Sequence, residues 1–386
     1  MKVVFFANTA WYLYNFRLGL AKFLRDQNFE VVMISPDGPY SARLRAEGFR
    51  WKPLAMDRRS MHPAREFSVL RQISAVYAAE KPDIVHHFTI KCVIYGSLVA
   101  WWHDIEHRIN ALAGMGYVFT SPELRARLLR PLVRRLIKSV IGGRYARIVL
   151  QNTDDYIAFR DIGAPRPNVR LIRGSGVDTE LFRPPQRRRE RPVTRVLFAA
   201  RLLRDKGIAE YVECAKRLKE TNNEIELVVA GMPDVGNPSS VLPTQVADWH
   251  EKGWITYLGH VEDMPALLQK IDIAVLPSYR EGAPRSLIEA AAAGLPIVTT
   301  DVPGCREIVE DGVNGLLVPV RQVTPLIEAI RYLHERPGER NRMGAAGRAK
   351  ALKEFDQRIV FEQTLAVYRE LLAYSLKMPN QQVQHA

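Results

Sequence analysis

Short apolar runs alternate with stretches of helical spacing along this chain. In the first half, runs at 2–7, 30–35, 49–54, 83–86, 146–151 and 170–172 have the length and apolar content of buried strands. Between them, Phe16, Leu20, Phe23 and Leu24 set a helical period over 16–27, and similar patterns predict helices over 42–48, 67–80 and 153–159. In the second half, strands are predicted at 195–199, 225–231, 255–259, 272–277 and 296–300. A turn and strand at 314–319 and a long helix over 355–376 follow. This alternation predicts an α/β protein with parallel, doubly wound sheets. At 386 residues the chain suits two domains. Pro184-Pro185 and the charged run 187–192 read as the linker, giving domains at 1–185 and 193–354.

The stretch 276–307, LPSYREGAPRSLIEAAAAGLPIVTTDVPGCRE, carries the densest candidate chemistry. A strand ends at Pro277, and a loop with Ser278, Glu281, Gly282 and Pro284 follows. A helix is predicted over 285–293, opened by Arg285 and Ser286 and stopped by Gly294 and Pro296. Ligands of such sheets bind at the carboxyl ends of the strands. A helix start adds free N–H groups and a positive dipole end that favour a phosphate. Glu281 at the loop tip can accept sugar hydroxyls, and Glu289 on the helix can take a ribose; the pattern suits a sugar nucleotide. Arg201 and Lys206 follow strand 195–199, where two cations can neutralise a diphosphate. Two surface cations beside Asp205 are the plainer reading. In the first domain Asn15 and Arg17 open the helix after the first strand, and His86, His87, Thr89 and Lys91 follow the strand at 83–86. A helix cap and a solvated cation fit Asn15 and Arg17 as well as ligand contacts do. Adjacent strand histidines face opposite sides and make a poor metal pair, so one is structural and the other free to meet a ligand.

Glu281 and Glu289, seven residues between them, resemble the paired-glutamate motif of retaining glycosyltransferases of the GT-B fold. SYREGAPRSLIEA with TTDVPGCRE is similar to the branch acting on polyprenyl-diphosphate-linked glycans. RLLRDKG is similar to that family's Arg…Lys pair, and 174–178 with Phe182 and Pro184 to its inter-domain segment. HHFTIK and the Gly-x-Gly-Tyr at 114–117 are similar to the same branch. The resemblance implies two Rossmann-like domains with a cleft between them and a helix at 355–377 crossing back to the first. It implies catalytic roles for Glu281, Arg201 and Lys206, with Gly282, Arg285, Ser286 and Glu289 completing the donor site. Asn15, Arg17, His86, Lys91 and Gly114 would stand on the acceptor side. The implied reaction moves a hexose or N-acetylhexosamine from a UDP-sugar to a polyprenyl-diphosphate-linked glycan with anomeric retention and no cofactor. Relatives carry a Gly-Gly pair in the first loop, which here reads Asn8-Thr9-Ala10-Trp11, and a donor-contacting histidine where this chain has Ala113-Gly114. No Asp-x-Asp occurs, so no metal site is expected and the diphosphate charge falls to Arg201, Lys206 and the helix amides.

The formal charge of +13 calls for an anionic partner. No helix-turn-helix, zinc-finger or RNP-like pattern is present, so nucleic acid is not expected. The segment 122–142 sets Arg127, Arg130, Arg134, Arg135 and Lys138 against an apolar stripe that includes Leu128, Leu132 and Leu136. A basic amphipathic helix suits an anionic membrane surface, where each nearby cation contributes about 1 kcal/mol. An ordinary helix with a solvated basic face is the alternative. With a lipid-linked acceptor, the expected place is cytoplasmic and peripheral, on the inner face of the cell membrane. The start, MKVVFF, reads as a strand rather than a signal peptide. No run approaches the ~20 apolar residues that span a bilayer. Cys92, Cys214 and Cys305 are scattered, which fits a reducing compartment. Competing functions are a same-fold transferase with a soluble acceptor, a UDP-sugar epimerase, and a non-enzymatic binder of nucleic acid or anionic glycan.

Overall fold

Thirteen strands form two sheets in the computed structural model, which describes residues 1–57, 60, 62–112, 135, 145–161, 168–185, 192–221 and 224–376. The first sheet holds β1 (Lys2–Phe6), β2 (Glu30–Ser35), β3 (Arg50–Pro53), β4 (Ile84–Phe88), β5 (His107–Leu112), β6 (Ala146–Leu150) and β7 (Val169–Leu171), in the order β3-β2-β1-β4-β5-β6-β7. The second holds β8 (Thr194–Ala199), β9 (Ile225–Ala230), β10 (Thr256–Gly259), β11 (Ile273–Leu276), β12 (Ile297–Thr300) and β13 (Gly315–Val318), in the order β10-β9-β8-β11-β12-β13. Pairings such as β1 with β2 and β4, and β8 with β9 and β11, are parallel. Each sheet is a doubly wound α/β layer, as the alternation predicts.

The two-residue period of a strand explains why the sheets are buried on both faces. Val3 and Phe5 join one core with Leu20, Leu24, Phe361 and Leu365, while Val4 and Phe6 join another with Ile73, Tyr77 and Val99. The helix Gln357–Leu376 supplies Val360, Tyr368 and Leu371 to the first of these cores. The chain divides into a unit of Met1–Ser175 with Val360–Ala386 and a unit of Gly176–Ile359. The crossing therefore precedes Pro184-Pro185. Val177 is buried in the second unit's core, and its amide donates to the Phe355 carbonyl at 3.0 Å.

Three local expectations change. The helix after β1 begins at Ala10, not at 16, because Thr9 caps it: its Oγ1 accepts from the Tyr12 amide at 3.1 Å. A π-helical turn, Leu13–Arg17, then leads into Leu18–Asp26. Strand β4 runs on to Phe88, so His86 and His87 lie within it rather than beyond its end. A helix starts at Pro63 rather than 67, with proline at its first turn where a missing N–H costs nothing. Gly114, Arg127, Arg130, Arg134 and Lys138 lie outside the described residues; Arg135 is described, helical and exposed. Among the described residues no helix is long and apolar enough to cross a membrane. Cys92, Cys214 and Cys305 are free and buried.

Glu370 ties the last helix to the first sheet. It accepts from Arg147 Nη2 at 2.8 Å and from Arg170 Nη2 at 2.5 Å, and the Arg147 side chain is only 3% exposed. Glu370→Ala removes the carboxylate from that buried cation. The unfolding free energy should fall by about 2 kcal/mol, below the full cost of breaking a buried pair because Glu370 is itself part-exposed. Urea titration measures this, and Arg147→Met in the same background should recover much of the loss.

Candidate active site

The second sheet reverses its strand order between β8 and β11, the place where an open α/β sheet leaves a crevice beyond its carboxyl ends. Two loops meet there. The Tyr279 amide donates to the Asp205 carbonyl at 2.9 Å, and Ser278 Oγ donates to the same oxygen at 3.0 Å. Gly207 sits at φ +77° with its Cα against Pro277; a Cβ there would stand 2.1 Å from the Pro277 carbonyl oxygen. Only glycine permits that approach. Backbone contact thus brings Lys206 to Glu281, Nζ to Oε1 at 2.5 Å, with the two side chains 22% and 8% exposed.

The Glu281 loop is held from its other side too. Thr300 Oγ1 donates to the Ser278 carbonyl, and Gly304, at φ +80°, lies so close that a Cβ would meet the Gly282 carbonyl oxygen at 2.5 Å and that of Glu281 at 2.6 Å. The helix Arg285–Ala292 starts directly after, with Pro284 at its N-cap and Leu287, Ile288, Ala290, Ala291 and Ala292 buried on its inner side. Arg285 and Glu289 share one face at helical spacing, Nε to Oε1 at 2.8 Å. Burial pushes the Glu289 carboxyl above its ordinary range, and the Arg285 guanidinium opposes that shift. Cys305 lies within electrostatic reach of Glu281, but burial lifts its thiol to about 12, so it is a packing residue and not a thiolate.

Of the sequence-derived donor residues, Glu281, Gly282, Arg285, Ser286 and Glu289 lie on one loop and helix, and Lys206 reaches Glu281 from the facing loop. Arg201 does not join the Lys206–Glu281 pair: its side chain is half-exposed and its Nη1 donates to Asp234 Oδ2 at 2.8 Å. Asp234 is a residue the sequence reading missed, although it follows the carboxyl end of β9 and the same rule points to it. Tyr279 is another. Its hydroxyl donates to Glu210 Oε1 at 2.6 Å and Arg321 lies 4.6 Å over its ring, bracing the loop that carries Glu281.

The first unit's candidates separate into braces and a buried pair. Asn15 Nδ2 donates to the Trp11 carbonyl at 2.9 Å. Lys91 Nζ donates to the carbonyls of Asp57 and Ser60 at 2.8 and 2.9 Å and pairs with Glu66 at 2.8 Å, tying down the loop before Pro63. His87 is a structural histidine, bonded to Tyr77 at 2.9 Å and Asn110 at 2.8 Å. Arg17, on the turn that follows β1, and His86, within β4, are by contrast both buried. Arg17 is therefore not the solvated cation that the plainer reading made it.

Comparison with known proteins agrees with this architecture. Residues 179–350 match the family described as Glycosyl transferases group 1, and residues 2–141 match Glycosyl transferase 4-like. The chain is 28% identical over 390 residues to the N,N'-diacetylbacillosaminyl-diphospho-undecaprenol alpha-1,3-N-acetylgalactosaminyltransferase of Campylobacter jejuni, covering 96% of this chain and 99% of that one. It is 22% identical over 370 residues to the capsular polysaccharide biosynthesis glycosyltransferase CapM of Staphylococcus aureus, covering 92% and 94%. Among solved structures, HepE from Anabaena in complex with UDP-glucose superposes with a TM-score of 0.77 at 18% identity, over 97% of this chain and all of that one. Sucrose-phosphate synthase from Thermosynechococcus elongatus gives the same TM-score and identity.

Gly304→Ala should displace the Glu281 loop. We expect a stability loss of about 1–3 kcal/mol and a fall in sugar-nucleotide affinity of about tenfold or more. Gly312→Ala is the control: it too has positive φ, at +72°, but open space around its Cα, so it should lose stability and keep affinity. Thermal unfolding and nucleotide titration of both variants separate strain from collision.

Proposed function

We propose, from the premise that this chain belongs to the group 1 glycosyltransferases of the GT-B fold, that it moves a sugar from a UDP-sugar to a polyprenyl-diphosphate-linked glycan with retention at the anomeric carbon. The Lys206–Glu281 pair beside the Arg285–Glu289 helix start is the observation that carries this reading. Lys206 lies where it can pass from Glu281 to an incoming diphosphate, with Arg201 available at the rim. The start of the helix Arg285–Ala292 adds its dipole to the same negative charge. Glu281, released in part by its lysine, accepts the hydroxyls of the donor sugar and orients it. Glu289 takes the ribose hydroxyls. In the reaction the bond from the anomeric carbon to the diphosphate oxygen breaks, and a new one to the acceptor hydroxyl oxygen forms on the same face. The acceptor's proton passes to the leaving diphosphate. Cations and helix end stabilise the charge that grows there, which supports a metal-independent reaction.

The donor assignment draws support from HepE, solved in complex with UDP-glucose, and the acceptor class from the Campylobacter relative, whose name places its substrate on diphospho-undecaprenol. The basic segment at 122–142 supports a peripheral place on an anionic membrane, at the cytoplasmic face.

UDP release from a panel of UDP-sugars, with and without polyprenyl-diphosphate glycans, tests the reading. Turnover should need the lipid-linked acceptor, survive a chelator and drop by about a hundredfold or more in Glu281→Ala. Release that never needs the lipid would move the acceptor to a soluble compound, and no release with any UDP-sugar would sink the donor assignment.

The buried Glu289 gives a pH test. Its carboxyl is raised, so it takes up a proton at a higher pH than an ordinary glutamate, and the neutral acid accepts ribose hydroxyls less well. UDP-sugar affinity should be full at neutral pH and fall as the pH drops through this raised value. The UDP-sugar diphosphate does not titrate there. Glu289→Gln should bind weakly and without that acid limb; a limb that persists in the variant assigns the titration to another group.

A further inference from the structure

Arg17 is 5% exposed, yet among the described residues no carboxylate pairs with it. Its Nη2 donates to the Tyr12 hydroxyl at 2.9 Å, its guanidinium lies 4.4 Å over the Phe88 ring and 5.5 Å from that of Tyr12, and its Nε has no acceptor. Taking a cation out of water is costly, and two aromatic faces with one hydrogen bond to a neutral hydroxyl supply no counter-charge to offset it.

His86 lies against the same Phe88, with ring centroids 4.1 Å apart, and is 3% exposed. Its Nδ1 shares a 2.7 Å hydrogen bond with the Tyr368 hydroxyl, and its Nε2 is buried without a partner. Burial, and after it the Arg17 charge, hold this imidazole well below its ordinary pKa, so the ring is neutral. Among the described residues the Tyr368 hydroxyl has no other acceptor, so it donates to Nδ1 and the ring proton sits on Nε2. Two buried donors, one of them charged, thus lack an acceptor. His86 belongs to β4 and Arg17 to the turn that follows β1, the two strands between which the first sheet reverses its order and beyond whose carboxyl ends such a fold takes a ligand. Asn15 and Lys91 do not share this character, since both are engaged with backbone carbonyls.

We propose that Arg17 and the Nε2–H of His86 form a subsite for a phosphate oxygen of the acceptor's diphosphate, so that this unit recognises the lipid-linked end of the acceptor and not its sugar alone. The inference rests on the acceptor class proposed above. An anionic oxygen would supply Arg17 with its missing counter-charge and His86 with its missing acceptor in one step, and a neutral glycoside would supply neither.

Binding of inorganic pyrophosphate, followed by phosphorus NMR with UDP saturating the second unit, tests the subsite without any turnover. Wild type should bind, and Arg17→Gln and His86→Phe should each weaken binding by about tenfold or more. Unchanged UDP affinity and melting temperature would show that the variants are folded. Transfer is then compared on a polyprenyl-diphosphate-linked sugar and on the same sugar carried by a neutral alkyl chain. Arg17→Gln should raise KM for the first by about tenfold and leave KM for the second alone. Pyrophosphate binding indifferent to Arg17, or an equal rise in both KM values, overturns the proposal. Should wild type use no lipid-linked acceptor, the acceptor class fails, and the pyrophosphate titration alone decides the subsite.

Discussion

The second unit's chemistry depends on a backbone contact, the Cα of Gly207 against the carbonyl of Pro277. No side chain fits between them, so the loops after β8 and β11 close on each other through main-chain atoms, with the Asp205 carbonyl accepting from both Ser278 and Tyr279. Main-chain hydrogen bonds hold positions more tightly than long side chains can. Lys206 and Glu281 inherit that fixity and meet at 2.5 Å. A third loop, through Gly304, closes the other side. A site assembled this way presents its charges before any substrate arrives, which is how preorganised electrostatics lowers a barrier.

Both units also hold charge away from water, but in different states of satisfaction. Arg147 is buried and answered by Glu370; Glu289 is buried and answered by Arg285. Arg17 and His86 Nε2 are buried and unanswered. An uncompensated buried cation lowers its energy by taking an anionic ligand, whereas a paired one must exchange its partner to do so, as Lys206 would exchange Glu281. Lys91 is neutralised by Glu66 and held by two backbone carbonyls, so it braces the loop before Pro63.

Much of the architecture was legible because it rests on short-range pattern. Apolar runs marked the strands, and helical spacing marked the segments between them. The paired glutamates of 281–289 announced a loop and helix that the structure contains, Arg285 and Glu289 falling one turn apart on a single face. Strand and helix ends were less legible. Thr9 looked like part of a loop and is a helix cap, and His86 and His87 looked like a ligand loop and are paired within β4. A polar residue inside a strand and one just after it carry the same letter, and only the neighbouring strand's hydrogen bonds distinguish them.

From its sequence alone this chain declared two parallel α/β sheets, the similarity to group 1 glycosyltransferases, and the residue types of its candidate site, because periodicity and motif spacing act over a few residues. The tertiary structure decided the partners. Lys206 chooses Glu281 and Arg201 chooses Asp234; the unit boundary falls at Ser175 rather than at the prolines; Arg17 is buried without a counter-charge. Each of these depends on which strands lie side by side and what excludes water between them. Those are long-range facts, and a pattern of neighbours along the chain does not contain them.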